Sequence, residues 1–330
     1  MKALVLNGLH QPLDFQEVEA PKPARGEAVV ALRAAALNHR DVFITKGQYA
    51  GIRFPTILGS DGAGEFRGKP VVIDPSFDWG SDPRAQGKNF HILGMPVNGT
   101  FAEQVKVPRS HIHTAPAHLD FEQAASLPVA GVTAYRALFT RCQLKKGERV
   151  LITGIGGGVA LFVLQMAVAA GAEVFVTSGS DAKIERAMRL GAKSGVNYRL
   201  PDWDKTLKKD IGGGFDVVID SAGGDGFAAL IGLCNPGARV GIYGGTLGKI
   251  SGLSPQIVFW KQISILGSTM GTAQDFRKML AFVGKHQIVP VVDSVFALTD
   301  GNQALTKMDA GEQFGKIVLT MDGGRRTADG

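Results

Sequence analysis

The β-like stretch Arg149 to Thr153 runs straight into Gly154-Ile155-Gly156-Gly157-Gly158, and an uncharged, helix-like stretch, Val159 to Ala170, follows. Glycines in that setting let the backbone turn sharply and come close to a ligand. The helix start that follows offers unpaired N–H groups and the positive end of a dipole, which suits a pyrophosphate. The strict G-x-G-x-x-G spacing is broken, because Val159 stands in the third place after Gly154 and Gly156. Glycines also mark ordinary turns, so the meaning of the run depends on what lies downstream.

Downstream, apolar strands and helix-like stretches alternate. Glu173 to Thr177 reads as a second strand and Asp181 to Leu190 as a helix closed by Gly191. Val196-Asn197-Tyr198 reads as a short third strand, Phe215 to Asp220 as a buried fourth, Ala238 to Tyr243 as a fifth and Ile263 to Leu266 as a sixth. This order indicates an α/β unit with a parallel sheet and helices on both faces. A glycine-rich turn after the first strand of such a sheet is a dinucleotide fingerprint.

The uncharged stretch Val150 to Ala172 also invites a membrane reading. Its helical part, about 14 residues at ~1.5 Å each, covers only ~21 Å of a ~30 Å hydrocarbon core. A helix buried against a sheet explains it better. The opening Met1 to Leu6 is too short for a secretory apolar segment and runs into the turn Asn7-Gly8. With 45% hydrophobic and 20% charged residues the composition is that of a soluble globular protein. Two cysteines, Cys142 and Cys234, cannot form a disulfide framework, so a cytoplasmic setting with buried structural thiols is expected. The net charge of +6 comes from scattered lysines and arginines, without a nucleic-acid motif. It suits an anionic cofactor or plain solubility.

Residues 1–120 look different. Short β-like pieces (Ala3 to Leu6, Ala28 to Ala34, Val71 to Ile73, Ala102 to Val107) are separated by turns rich in proline and glycine, which reads as a mostly β domain. From Phe121 to Phe139 the chain is helical. Beyond Gly267 come a helix (Asp275 to Lys285), a β-like stretch (Val291 to Ala297), another helix (Asp300 to Asp309) and a strand (Gly315 to Thr320). That last strand is expected to return to the first domain, with the cleft between the domains as the site. Residues 323–330 read as a disordered tail.

Several stretches together carry a family resemblance: AALNHRDVFITKGQY (35–49), PTILGSDGAG (55–64), GTFAEQVKV (99–107), LPVAGVTAY (127–135), the glycine-rich turn and GEQFGKIV (311–318). The chain resembles the medium-chain dehydrogenase/reductase superfamily, in its zinc-independent branch of quinone oxidoreductase-like and zinc-type alcohol dehydrogenase-like proteins. The resemblance implies a GroES-like, mostly β catalytic domain at 1–120, completed by 268–322, and a doubly wound Rossmann domain at 121–267. It also reconciles the turn, which fits the family spacing G-x-x-G-x-x-G/A at Gly154, Gly157 and Ala160. One family loop, between Gly64 and Val71, is trimmed.

Zinc-dependent members hold their metal with a cysteine, a histidine, often a neighbouring glutamate, and a further cysteine or acid. The matching positions here are Asn38, Ser60, Asp61 and Val129, of which only Asp61 is a metal ligand type. The stretch matching the structural zinc lobe, Asp74 to Asn98, contains no cysteine. No zinc is therefore expected. Hydride transfer from a reduced nicotinamide remains open, because the cofactor carries that chemistry. Quinones and activated carbonyl or alkene compounds delocalise the charge that develops.

An NAD-selective site places an acid at the end of the second strand. Here Ser178 stands in that place, which leaves room for a 2′-phosphate, and Lys183 lies one helical turn later. NADPH is the expected cofactor, with Asp181 as the one contrary residue. The resemblance adds Tyr198 as a phosphate contact, Thr133 near the nicotinamide and phosphates, and Gly244, Ser268 and Met270 along the nicotinamide. With Gly154, Gly156, Gly157, Gly158 and Val159 these complete the expected cofactor set. Lys316 either reaches the cofactor from the last strand or is a surface lysine.

The candidate catalytic residues are Asn38, Tyr49 and Asp61. Asn38 either donates to the substrate oxygen or is a turn residue. Tyr49 is the side-chain candidate for proton donor, or packs on the substrate, with water as the other proton source. Arg40 and Asp41 either position a substrate or pair with each other, the structural role being the more natural one. The expected function is an NADPH-dependent reductase of quinones or activated carbonyls and alkenes. The alternatives are a zinc-independent alcohol or aldehyde dehydrogenase, and an NADPH-binding sensor or crystallin-like protein with little turnover. A small-molecule substrate and a homodimer or tetramer through edge strands of the Rossmann sheet are the expected partners; membrane and nucleic acid are not.

Overall fold

Val150, Leu151 and Ile152 are completely buried, as are Val174, Val176, Val217, Val218 and Ile219. Consecutive burial of this kind needs a sheet covered on both faces, and these residues lie in strands of a parallel six-stranded sheet. The computed structural model describes residues 1–321 and the backbone of Arg326–Thr327. The chain divides into two units, Met1–Val132 with Gly271–Gly330, and Thr133–Met270.

In the unit Thr133–Met270 the strands lie in the order Ser194–Asn197, Glu173–Ser178, Arg149–Ile152, Phe215–Asp220, Cys234–Ile242, Ser264–Gly267. Counted within the unit this is 3-2-1-4-5-6, the doubly wound order, and the crossover reverses at the first strand. Arg149–Ile152 leads through the glycine-rich turn into the helix Gly158–Ala169. Leu151, Phe175, Phe215 and Val240 join the helix residues Leu207, Ile211, Phe227 and Leu230 in one core.

Cys234–Ile242 is paired on both sides, so the edge of the sheet is Ser264–Gly267 alone at that end. The charged stretch between the third and fourth strands is the helix Trp203–Ile211, which buries only Leu207 and Ile211. The helical run expected from Phe121 is divided into Phe121–Ala125, Pro128–Tyr135 and a π-helical turn, Arg136–Arg141. Pro128 has no N–H to continue the preceding helix and sits at the start of the next. Cys142 and Cys234 are free and buried.

In the other unit the long strand Glu27–Ala36 alternates buried and more exposed residues, the period of a sheet with one inner face. It pairs antiparallel with Asp61–Phe66, with Gln104–Pro108 and with Lys316–Thr320. The trimmed loop is a hairpin turn of two residues, Arg67 and Gly68, both with positive φ, closing Asp61–Phe66 onto Lys69–Ile73. Lys316–Thr320 also pairs with Val292–Ala297, and Val318 stands opposite Ala36. That register brings Lys316 beside Leu37 and Asn38. Within the expected tail, Arg326–Thr327 form a strand antiparallel to Val292–Ala297. The rest of 323–330 lies outside the described residues. Among the described residues no helix is long and apolar enough to cross a membrane.

Candidate functional site

Asn38 lies two residues beyond the strand Glu27–Ala36 and caps the helix His39–Thr45, where its backbone N–H donates to Asp41 Oδ2 at 2.8 Å. Its side chain is left for other work. Lys316 Nζ donates to Leu37 O at 2.6 Å, Asn38 Oδ1 at 2.8 Å and Asp61 Oδ2 at 2.9 Å. Asn38 Nδ2 donates to Asp61 Oδ2 at 2.9 Å, and the Val129 N–H donates to Asp61 Oδ1 at 2.8 Å. Asp61 is 0% exposed and Lys316 3%. Removing one partner of such a buried pair costs about 3–5 kcal/mol, because the other charge is stranded. The surface-lysine alternative for Lys316 is thereby overturned: all three of its N–H donors are committed within this unit.

Ser60 and Arg40 lie beside this cluster. Arg40 Nη1 donates to Ser60 Oγ at 2.5 Å and to Leu93 O at 2.9 Å, and Ser60 Oγ donates to Leu93 O at 2.7 Å. The Arg40 guanidinium stands 5.0 Å from the Tyr49 ring centre. Arg40 and Asp41 make no direct ion pair; burial pushes the Asp41 carboxyl up to about 6, against the nearby Arg40 charge. Tyr49 is partly buried against the core and does not join the Asn38–Asp61–Lys316 cluster.

In the other unit the glycine-rich turn depends on two left-handed positions, Gly154 at φ +62° and Gly156 at φ +122°. A side chain at Gly156 would also meet Lys183 Cδ at 2.9 Å, so the lysine side chain lies over the turn. Gly157 caps the helix and a Cβ there meets nothing within 4 Å, which leaves the start of the helix, with Gly158 and Val159, open to a ligand. Thr153 Oγ1 donates to Asp220 Oδ1 at 2.6 Å, tying the ends of the first and fourth strands. Gly244 packs against the turn after Phe215–Asp220; a Cβ on it would lie 2.8 Å from Ser221 O.

Ser178 is 4% exposed, and its Oγ donates to Ile155 O at 3.4 Å and accepts from the Ser180 N–H at 3.3 Å. Its importance is therefore its small size at the strand end. Beyond it, a Cβ on Gly179 would come within 2.9 Å of Tyr198 Oη and 2.8 Å of Arg199 Nε. Lys183, Tyr198 and Arg199 thus flank the end of the second strand. Arg199 escaped the sequence reading, although it directly follows Tyr198. Asp181, the contrary acid, begins the helix Asp181–Arg189 and accepts from Asn197 Nδ2 at 3.0 Å. Thr133 and Met270 meet each other, Oγ1 to Sδ at 4.0 Å, and Met270 has φ +44°. The Ser268 N–H donates to Ile242 O at 2.8 Å, while its buried Oγ has no partner among the described residues.

Comparison with known proteins gives the same two parts. Residues 24–117 match the alcohol dehydrogenase GroES-like domain, and residues 158–285 match the zinc-binding dehydrogenase model. The chain is 34% identical to the zinc-type alcohol dehydrogenase-like protein YogA of Leptosphaeria maculans, over 94% of this chain and 95% of that protein. A crystal structure of an NAD-dependent alcohol dehydrogenase superposes with a TM-score of 0.92 at 34% identity, covering 97% of this chain and 100% of the other. The quinone oxidoreductase of Thermus thermophilus, solved also with NADPH, superposes with a TM-score of 0.81 at 25% identity, covering 97% and 100%.

Proposed function

Because this chain belongs to the medium-chain dehydrogenase/reductase superfamily and is an oxidoreductase, we propose that it transfers hydride from NADPH to a quinone or an activated carbonyl or alkene, without zinc. The observation that carries the zinc-free reading is the buried Lys316–Asp61 pair. The residues matching the metal-ligand positions supply an amide, a hydroxyl, one carboxylate and a backbone N–H, with no thiolate or imidazole among them. The carboxylate already has the Lys316 Nζ 2.9 Å away. That donor set does not fit zinc, whose sites are built from thiolate, imidazole and carboxylate. One of the matching family models is described as zinc-binding, but its residues 158–285 exclude all four of these positions.

The preference for NADPH rests on the end of the second strand. A small residue there, with Lys183, Tyr198 and Arg199 around it, suits a 2′-phosphate. The turn at Gly154–Gly158 and the open helix start suit the pyrophosphate. When bound, the cofactor supplies the hydride; the protein supplies binding, orientation and electrostatics. Asn38 is assigned the hydrogen bond to the acceptor oxygen. Tyr49 stacks against Arg40, which favours its packing role over that of proton donor. Of the related structures, one is described as NAD-dependent and one is known with NADPH, so the local residues decide the preference.

Absorbance of NADPH against an acceptor panel tests the proposal, using protein stripped by a chelator. Quinone or enone turnover that survives stripping is the expected result. Turnover of simple aldehydes alone replaces it with the alcohol dehydrogenase reading, and one retained zinc per chain overturns the zinc-free part. Tight NADPH binding without oxidation by any acceptor supports the sensor or crystallin-like reading.

For assembly, the proposal is a homodimer through the edge strand Ser264–Gly267. That strand is largely exposed, and the neighbouring helix Pro255–Trp260 buries none of its residues. Trp260 is 83% exposed and, with Gln256, Ile257, Phe259 and Lys261, lines a groove of about 410 Å³. An open edge beside apolar side chains calls for a cover. Light scattering of Ile265→Lys combined with Trp260→Glu is expected to give a monomer from a wild-type dimer; a monomeric wild type refutes this assembly.

A further inference from the structure

Of the bonded trio Asn38, Asp61 and Lys316, Asn38 alone is partly exposed. Its amide has two chemically different ends, an acceptor oxygen and a donor nitrogen. An ammonium offers only donors and an ionised carboxylate only acceptors. Lys316 therefore selects the amide oxygen, at 2.8 Å, and Asp61 selects one N–H, at 2.9 Å. Turning the amide over would set its NH₂ against the ammonium and its oxygen against the carboxylate. One orientation remains, and in it the second Nδ2 hydrogen has no acceptor among the described residues.

We propose that Lys316 is a positioning residue: with Asp61 it fixes the Asn38 amide so that its second N–H donates to the oxygen of the acceptor. The inference rests on the reductase reading above. A hydride delivered to the electrophilic carbon of an enone forms a new C–H bond there. The alkene π pair moves to form the enolate, whose oxygen takes the negative charge. Asn38 donates its hydrogen bond to that oxygen, and a solvent proton completes the product. Lys316 transfers neither proton nor electrons; it keeps the donor facing one way before the charge develops. Donors preorganised in this manner are worth about 10²–10³ in turnover at comparable oxyanion sites.

The test is a cycle of Lys316→Met, Asn38→Leu and the double variant, with kcat, KM and the NADPH dissociation constant measured for each. Lys316→Met is expected to lower kcat tenfold or more while NADPH affinity stays within twofold of wild type. The double variant is expected to be no slower than Asn38→Leu, since both act through one hydrogen bond. Multiplied losses, or a tenfold weaker NADPH with kcat retained, overturn the proposal. Should Lys316→Met fail to fold around the stranded carboxylate, Lys316→Met with Asp61→Asn buries no unpaired charge and is expected to show the same kcat loss. Exchange of the Asn38 side-chain amide protons, followed by NMR, is a readout without turnover. One slow and one fast proton in the wild type, both fast in the variant, supports the proposal; identical exchange in the two proteins overturns it. A wild type that reduces no acceptor sinks the reductase reading alone, and the exchange experiment then decides the positioning of the amide.

Discussion

Asp74 offers a prediction whose size follows from its surroundings. Its carboxyl is 1% exposed; Oδ1 accepts from the Ser76 N–H at 3.0 Å, and Oδ2 has no partner among the described residues. Burial pushes its pKa from 3.8 up to about 7, with the Ser76 N–H and the Arg277 charge pulling the other way. The folded chain therefore holds this proton more tightly than the unfolded chain. The stability it contributes is full below about pH 4 and is lost progressively until the pH passes about 7, above which a bare carboxylate is buried. At ~1.4 kcal/mol per pH unit, the span amounts to about 4 kcal/mol. Asp74→Asn keeps the acceptor for Ser76 and never ionises. Relative to wild type, the variant is expected to gain about 2–3 kcal/mol of stability between pH 5 and pH 8.5. Urea unfolding at both pH values measures it, and comparing two proteins that differ at one residue cancels the other titrating groups. Trp79, packed at 5.2 Å on Phe90 in the same unit, serves as the fluorescent probe once Trp203 and Trp260 are replaced by phenylalanine. A difference that ignores pH, or a variant that loses ground as the pH rises, refutes the reasoning.

Two further substitutions probe the dinucleotide end. Gly156→Ala forces an L-residue to φ +122° and sets its methyl against Lys183, so a loss of at least 1–2 kcal/mol in thermal unfolding is expected, with weaker NADPH binding. A variant as stable as wild type with unchanged affinity contradicts the assignment. Lys183→Ala and Arg199→Ala are each expected to weaken NADPH about tenfold while changing NADH little, the loss of a charge-assisted contact to the extra phosphate. Equal weakening of both cofactors in fluorescence titration argues against a 2′-phosphate pocket there.

How far the chain could be read depended on how local each signal was. Strands such as Val150 to Ile152 and Phe215 to Asp220 are nearly unbroken apolar runs between turns, and only a sheet covered on both faces produces them. The helix Trp203–Ile211 was masked because lysines and aspartates outnumber its two buried residues, Leu207 and Ile211. The strand Cys234–Ile242 starts before a Pro-Gly pair that reads as a turn, so only its second half was legible as a strand. Asn38 and Asp61 were found through their neighbours in two family-like stretches. Lys316 stood out only as a cofactor contact or a surface lysine; its bonds to Asn38 and Asp61 were not legible, because 279 residues separate it from Leu37 and only the pairing of Val318 with Ala36 closes that distance. Arg199 follows a short strand in a polar turn, where nothing local distinguishes it from a solvated side chain.

The antiparallel pairing of Lys316–Thr320 with Glu27–Ala36 also sets an order in time. On the ribosome the sequence 133–270 emerges as one uninterrupted block, so the dinucleotide unit has all its strands once Met270 is out. The unit begun at Met1 has to wait. Until Lys316 has been synthesised, the ion-pair partner of Asp61 does not yet exist, and burying the carboxylate is costly. The unit that holds residues 1–132 is therefore completed only after the unit it encloses in sequence, when the strand that carries Lys316 arrives.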